Sequence, residues 1–328
     1  MPWSSPLPQG RGLGAGTVDY RRVGRTGLFV SRICVGSVAF GQRLDERESA
    51  ALIDRAIGQG VNFFDTANSY NDGRTEEIIG KALKGRRYET IVASKVGAGP
   101  IDLNIATLSR KHIMHEIEGT LRRLGTDYVD ILYAHKPDPI TPVEETMEAF
   151  GDIVRQGKVR YLGCSNFAAW QIARSQWTAD IRKLARFECI QPRYNLLERD
   201  IEKEVVPFCV DDDISIYPYG ALAAGLLAGK FLDRRQLRED DKMATGMNYR
   251  RLYWRKEAFE FVDRLKVASD AAGHTLTQTS LAWLLEQPRL DAVIVGMRTD
   301  DQLDAAVSAI GVELSDRERE VCASGPSK

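Results

Sequence analysis

From residue 30 onward, short β-branched and apolar runs alternate with longer stretches whose apolar positions recur every three or four residues. The runs predict eight strands: Val30–Val38, Val61–Ala67, Thr90–Val96, Val129–His135, Val159–Asn166, Phe187–Asn195, Ile214–Gly220 and Ala292–Met297. Between them the spacing predicts helices over Glu46–Gln59, Thr75–Leu83, Ile113–Leu124, Val143–Gln156 and Leu276–Leu285. Gln59-Gly60, Leu124-Gly125 and Gln156-Gly157 supply stop signals for three of them. Strands apolar almost throughout, each followed by a helix, imply a parallel sheet covered on its outer face. Eight such units without an evident edge predict a single-domain α/β fold, a closed (β/α)8 TIM barrel. An open doubly wound sheet would want a glycine-rich first turn. That turn reads Gly36-Ser37-Val38-Ala39-Phe40-Gly41, not GxGxxG.

Two stretches fall outside this rhythm. Residues 1–19, rich in Pro, Gly and Ser, read as a flexible tail, which leaves 20–328 for the barrel. Gly10, Gly12, Gly14 and Gly16 follow no strand and open no helix, so they make no dinucleotide fingerprint. At about 231–256, after the seventh strand, the chain is polar and charged without clear periodicity. A loop of that length in a compact domain is functional or unstructured.

Composition mainly excludes. A net charge of −1 gives no overall field for nucleic acid or an anionic membrane. No apolar run approaches the ~20 residues of a bilayer span. Five cysteines without CxxC spacing, and no secretory signal, fit reduced thiols in the cytoplasm. His112 and His115 lie three apart on a predicted helix but have no third partner, so no metal site is expected and they read as a solvated face.

Chemistry gathers at the strand ends, where a barrel of this type carries its active site. The second strand ends at Asp65 with Tyr70 just beyond, the third at Lys95, the fourth at His135. A tyrosine hydroxyl, with a pKa near ~10, is a weak acid that a neighbouring ammonium makes stronger. A buried aspartate would anchor that ammonium, and a histidine could orient a carbonyl oxygen. Together they could protonate an alkoxide as it forms, which is half of a carbonyl reduction. No side chain supplies the hydride for the other half, so a nicotinamide is implied.

Several ordered segments carry a family resemblance: Tyr20–Leu28 (YRRVGRTGL), Asn62–Tyr70, Asp127–Asp138 (DYVDILYAHKPD), Gly157–Phe167 (GKVRYLGCSNF), Gln191–Leu197 (QPRYNLL) and Gly225–Lys230 (GLLAGK). From Tyr20 to about Ser315 the chain resembles an aldo-keto reductase, of the branch with bacterial reductases and potassium-channel β subunits. The resemblance implies a tetrad of Asp65, Tyr70, Lys95 and His135 and hydride transfer from NADPH to an aldehyde or ketone, with NADP+ as the product. It implies that Ser165, Asn166 and Gln191 hold the nicotinamide carboxamide, and that Tyr219 stacks on its ring. Gly220, Ala221, Leu222, Ala223 and Ala224, with Lys230, match the pyrophosphate loop. Gly36, Ser37 and Gln42 match positions near the cofactor; Gly296, Arg298 and Gln302 match the clamp on the adenosine 2′-phosphate and adenine.

The chain departs from the family pattern at three places. Relatives usually carry Ser-Pro at Gly220-Ala221, and often Glu-Asn at Ala305-Ala306. A basic residue usual after strand seven falls near Tyr253, among Arg250, Arg251 and Arg255. Asn248, Tyr249, Arg250, Arg251, Tyr253, Trp254 and Arg255 form a basic and aromatic cluster suited to a sugar or sugar derivative, or else simply cover the cofactor or face solvent. Trp170 and Trp177 are packing residues, or Trp170 reaches the pocket rim. The expected function is a small-molecule carbonyl reductase. A cofactor-reading interaction protein and a dehydrogenase working toward oxidation are the alternatives; His135 favours an enzyme over the first.

Overall fold

Parallel strands need helical crossovers, and the alternating pattern supplies them. The computed structural model describes residues 18–98, 107–233 and 249–326. Its strands are β1 (Tyr20–Arg22), β2 (Phe29–Ser31), β3 (Ile33–Gly36), β4 (Phe63–Asp65), β5 (Ile91–Val96), β6 (Val129–Ala134), β7 (Val159–Ser165), β8 (Phe187–Gln191), β9 (Ser215–Ile216) and β10 (Val293–Gly296). Eight of them form one sheet in the order β10-β3-β4-β5-β6-β7-β8-β9, all pairs parallel. The ends meet through backbone bonds: the Ile216 amide donates to the Arg289 carbonyl (2.8 Å) and the Ile294 amide to the Pro218 carbonyl (3.0 Å). The fold is the (β/α)8 barrel.

Two apolar layers hold it. Outside the barrel, helices such as α1 (Glu46–Gly58), α2 (Arg74–Ala82), α3 (Arg110–Leu124) and α4 (Val143–Arg155) bury one face each against the strands. Inside, Cys34, Phe63, Ala93, Ile131, Tyr133, Cys189 and Tyr217 fill the lumen. Gly163 makes room there, since a Cβ on it would meet the Tyr133 ring at 2.5 Å. All five cysteines are buried and unpaired.

The first expected strand is corrected. Val30–Val38 is two strands in different sheets, because the chain turns at Arg32, whose guanidinium donates to the Leu290 carbonyl (3.1 Å). β2 pairs antiparallel with β1 in a hairpin that carries buried Val23 and Val30 to the floor of the lumen. The seventh strand shrinks to Ser215–Ile216: Pro218 has no amide to donate to a ladder. The sixth expected run, Phe187–Asn195, likewise stops at Gln191, before Pro192.

The stretch at about 231–256 is not wholly irregular. Tyr249–Tyr253 is a short helix and a long one begins at Lys256; residues 234–248, including Asn248, lie outside the described residues, as do residues 1–17 of the expected tail. Tyr249 and Tyr253 are buried, whereas Arg250, Arg251 and Arg255 are exposed. His112 is also corrected: it faces inward on α3, and only His115 is solvated. Trp170 and Trp177 stand exposed on α5 (Ala169–Arg182) rather than packed.

Candidate active site

Parallel register brings the chemistry to one end. Asp65 closes β4, Lys95 sits one residue before the end of β5, and His135 follows β6; its amide donates to the Val96 carbonyl at 2.8 Å. Tyr70 opens a single turn after β4, followed by Asn71 and Asp72 at φ 49 and 50. Left-handed backbone at two non-glycine residues is costly and marks a turn held by its surroundings. That turn aims the phenol back over the barrel mouth.

There the four side chains meet. The Lys95 ammonium, fully buried, donates to Asp65 Oδ2 (2.6 Å), to the Thr66 carbonyl (2.7 Å) and to the Tyr70 hydroxyl (3.1 Å). These three acceptors use all of its protons. Gln191 Nε2 donates to the second carboxylate oxygen, Asp65 Oδ1, at 2.7 Å. The His135 ring stands edge-on to Tyr70, centroids 6.0 Å apart.

Electrostatics follow from burial and from the one ion pair. Burial works against the Lys95 ammonium, but contact with Asp65 and Tyr70 outweighs it and holds the pKa above the usual lysine range. Burial also raises the Asp65 carboxyl, with Lys95 and Gln191 recovering part of the shift. For Tyr70 the expectation of a lowered pKa is corrected. Burial pushes it up, and Lys95 offsets only part of that. The phenol therefore stays protonated at neutral pH. His135 is pushed down to about 3 by burial and by the Lys95 and Lys136 charges, so its ring is neutral.

Beside the four lies a polar ledge. The Ser165 hydroxyl donates to the Gln191 carbonyl (2.6 Å), and Asn166, at φ 62, donates to the His135 carbonyl (3.2 Å). The Tyr219 hydroxyl reaches Asn166 Oδ1 at 2.9 Å. Next comes a loop with four left-handed residues: Gly220 (φ 69), Ala223 (46), Ala224 (56) and Gly225 (102). Successive amides in such a bend form a concave anion cradle.

A family model, the Aldo/keto reductase family, matches residues 32–324. The chain belongs to the aldo/keto reductase family. It is 34% identical to versiconal hemiacetal acetate reductase of Aspergillus parasiticus, over 92% of this chain and 95% of that one. It is 39% identical to an uncharacterized oxidoreductase of Bacillus subtilis, over 90% and 92%. Identity to a probable voltage-gated potassium channel subunit beta of Arabidopsis thaliana is 35%, again over 90% and 92%. This aldo/keto reductase is an oxidoreductase of carbonyl and hydroxyl groups, from a family that generally uses NAD(P)H.

The other positions expected around a cofactor divide in two. Gly36 and Gly296 lie opposite one another in register, and Arg298 and Gln302 sit at the start of the helix Asp300–Ser308 that follows β10; the Arg298 amide donates to Gln302 Oε1 at 2.8 Å. Arg298 makes no ion pair among the described residues, while Asp300 and Asp304 of the following helix are engaged by Arg55. Ser37 is fully buried and its hydroxyl donates to the Asp65 carbonyl (2.7 Å), which ties the first loop to β4. Gln42 is exposed, and Lys230 lies over the Phe231 ring at 5.6 Å. The sequence reading missed Thr66, whose carbonyl holds Lys95, and the bond from Gln191 to Asp65; backbone acceptors leave no residue-type signal. It also missed Arg193, a cation two residues past Gln191. Among the described residues no helix is long and apolar enough to cross a membrane, and no cluster could hold a metal.

Proposed function

We propose that this chain reduces an aldehyde or ketone with NADPH, Tyr70 serving as the general acid. The single observation that carries the reading is the buried chain Asp65–Lys95–Tyr70, with Lys95 3.1 Å from the phenol oxygen. Tyr70 gives its proton to the carbonyl oxygen as negative charge develops there. Lys95, fixed by Asp65 and Thr66, stabilises the phenolate left behind. Neutral His135, whose Nδ1 is buried without a partner, offers the carbonyl oxygen a second polar contact. Bound NADPH would supply the hydride.

The residues fit such a cofactor. Ser165, Asn166 and Gln191 would hold its carboxamide and Tyr219 would stack on its ring. The left-handed loop from Gly220 to Ala224, with Lys230, would take the pyrophosphate. Arg298 and Gln302, with Gly296, Gly36 and Gln42 alongside, would take the adenosine end, the guanidinium of Arg298 facing the 2′-phosphate. For the substrate we favour a sugar or sugar derivative. The Aspergillus relative is named for a hemiacetal, and a closed sugar is one. Five buried, unpaired thiols fit a cytoplasmic setting.

Stopped-flow observation of NADPH oxidation against a panel of sugars, aldehydes and ketones tests the reading. Carbonyl-dependent oxidation is expected; binding of NADPH without oxidation by any carbonyl would favour an interaction protein instead.

A further inference from the structure

We propose that Arg193 is a further cofactor-binding residue, an anchor for the pyrophosphate supplied from the loop after β8; this rests on the NADPH reading above. Four observations converge on it. An isolated bridge joins Arg193 to Tyr219, the Tyr219 amide donating to the Pro192 carbonyl at 2.9 Å. The two segments thus run side by side. A Cβ built on Gly220 would meet Arg193 Cγ at 3.4 Å, so the arginine stem lies in van der Waals reach of that position. Its guanidinium lies 3.6 Å from Glu198. Its Nε is buried with no acceptor at all.

An orphaned, buried N–H is costly, and acceptor oxygens relieve it. Here the donor belongs to a planar fork beside the loop that carries the left-handed residues Gly220, Ala223, Ala224 and Gly225, a kind of bend that suits anions. A guanidinium carried beside that loop suits the oxygens of a diphosphate, which a compact ammonium would contact one at a time. Glu198 neutralises only part of the charge from 3.6 Å and holds the fork in place. A purely structural staple between the two loops is the competing account. It predicts lost thermal stability and no selectivity among nucleotides.

The test is equilibrium titration of wild type, Arg193→Leu and Arg193→Lys, each checked for an unchanged melting profile. Four probes are used: NADPH, NADH, 2′-phospho-ADP-ribose and 2′,5′-ADP, of which only the last lacks a pyrophosphate. Arg193→Leu should lose about ten- to a hundredfold in affinity for the first three and under about twofold for 2′,5′-ADP. Arg193→Lys, which keeps the charge but not the fork, should fall between. Unchanged affinity for all four, or equal loss for all four, overturns the proposal. So does a defect confined to the KM of anionic carbonyls, which would make Arg193 a substrate contact. A wild-type chain that binds no nucleotide sinks the NADPH reading itself, whereas wild-type binding that Arg193→Leu preserves sinks only this inference.

Discussion

The two ends of the candidate site are built differently. At the tetrad end Lys95 and Asp65 are buried and interlocked: Lys95 has three acceptors, and both Asp65 oxygens are bonded. At the adenosine end Gly296 and Gln302 are exposed and Arg298 is half-buried, with only the Arg298 amide tied down. In the first region low dielectric makes each contact strong and each loss expensive. In the second, water competes, and single contacts adjust affinity without endangering the fold. On the proposed reading, chemistry would be held by the strand ends and cofactor choice by an exposed turn.

The sharpest way to break this contrast is at the proton donor. Tyr70→Phe removes one hydroxyl and leaves the ring that packs against His135. Turnover should fall about 10²–10⁴-fold while NADPH affinity stays near wild type. Near-normal steady-state rates on a good substrate would remove Tyr70 from its role.

Lys95→Met should come next. It abolishes the charge that partly offsets burial of the phenol, so the Tyr70 pKa rises further. In the oxidation direction the phenolate accepts the proton, and rate climbs as pH approaches that pKa. Without Lys95 the climb should begin at higher pH, on top of a lower kcat. The same change strands buried Asp65, so a lower melting temperature is expected as well, on the order of 3–5 kcal/mol of stability. Superimposable pH–rate profiles for the two proteins would refute the assigned role of Lys95.

How much of this was legible in the sequence differs between the same two regions. Asp65, Lys95 and His135 could be found because strands have fixed ends and polar residues at apolar strand ends stand out. The barrel followed from eight repeats of one pattern, and the helix at Leu276–Leu285 appears within its expected limits. What failed depended on contacts between distant segments. The Arg32 break that splits the first run is fixed by the Leu290 carbonyl, far along the chain. The net direction of the Tyr70 shift depended on depth of burial, which no local pattern encodes. Arg193 lay inside a recognised segment, but its place beside the loop after β9 comes from the bridge to Tyr219, 26 residues away.

The adenosine end offers a milder test. Arg298→Ala should weaken NADPH by roughly 1.5–3 kcal/mol, the range of a charged hydrogen bond, and leave NADH little changed. Fluorescence titration of both cofactors against both proteins decides it. Equal losses for the two would place Arg298 away from the 2′-phosphate.

The smallest effect concerns His135 and returns to the buried end. Its pKa is about 3 in the folded chain against an ordinary 6.5, because burial and the Lys95 and Lys136 charges disfavour the imidazolium. Two consequences follow. In kcat/KM the ring stays neutral across the working range, so no limb near 6.5 should be assignable to it. In stability the unfolded chain binds a proton that the folded chain refuses. The contribution of the neutral ring is therefore complete above pH 6.5 and is lost progressively as pH falls toward 3. His135→Asn removes the titrating group while keeping polar atoms at that place. Melting temperatures taken between pH 7 and 4 should then fall less steeply for the variant than for wild type. Parallel curves would mean that His135 is not held neutral, and the tetrad end would be wetter than its burial implies.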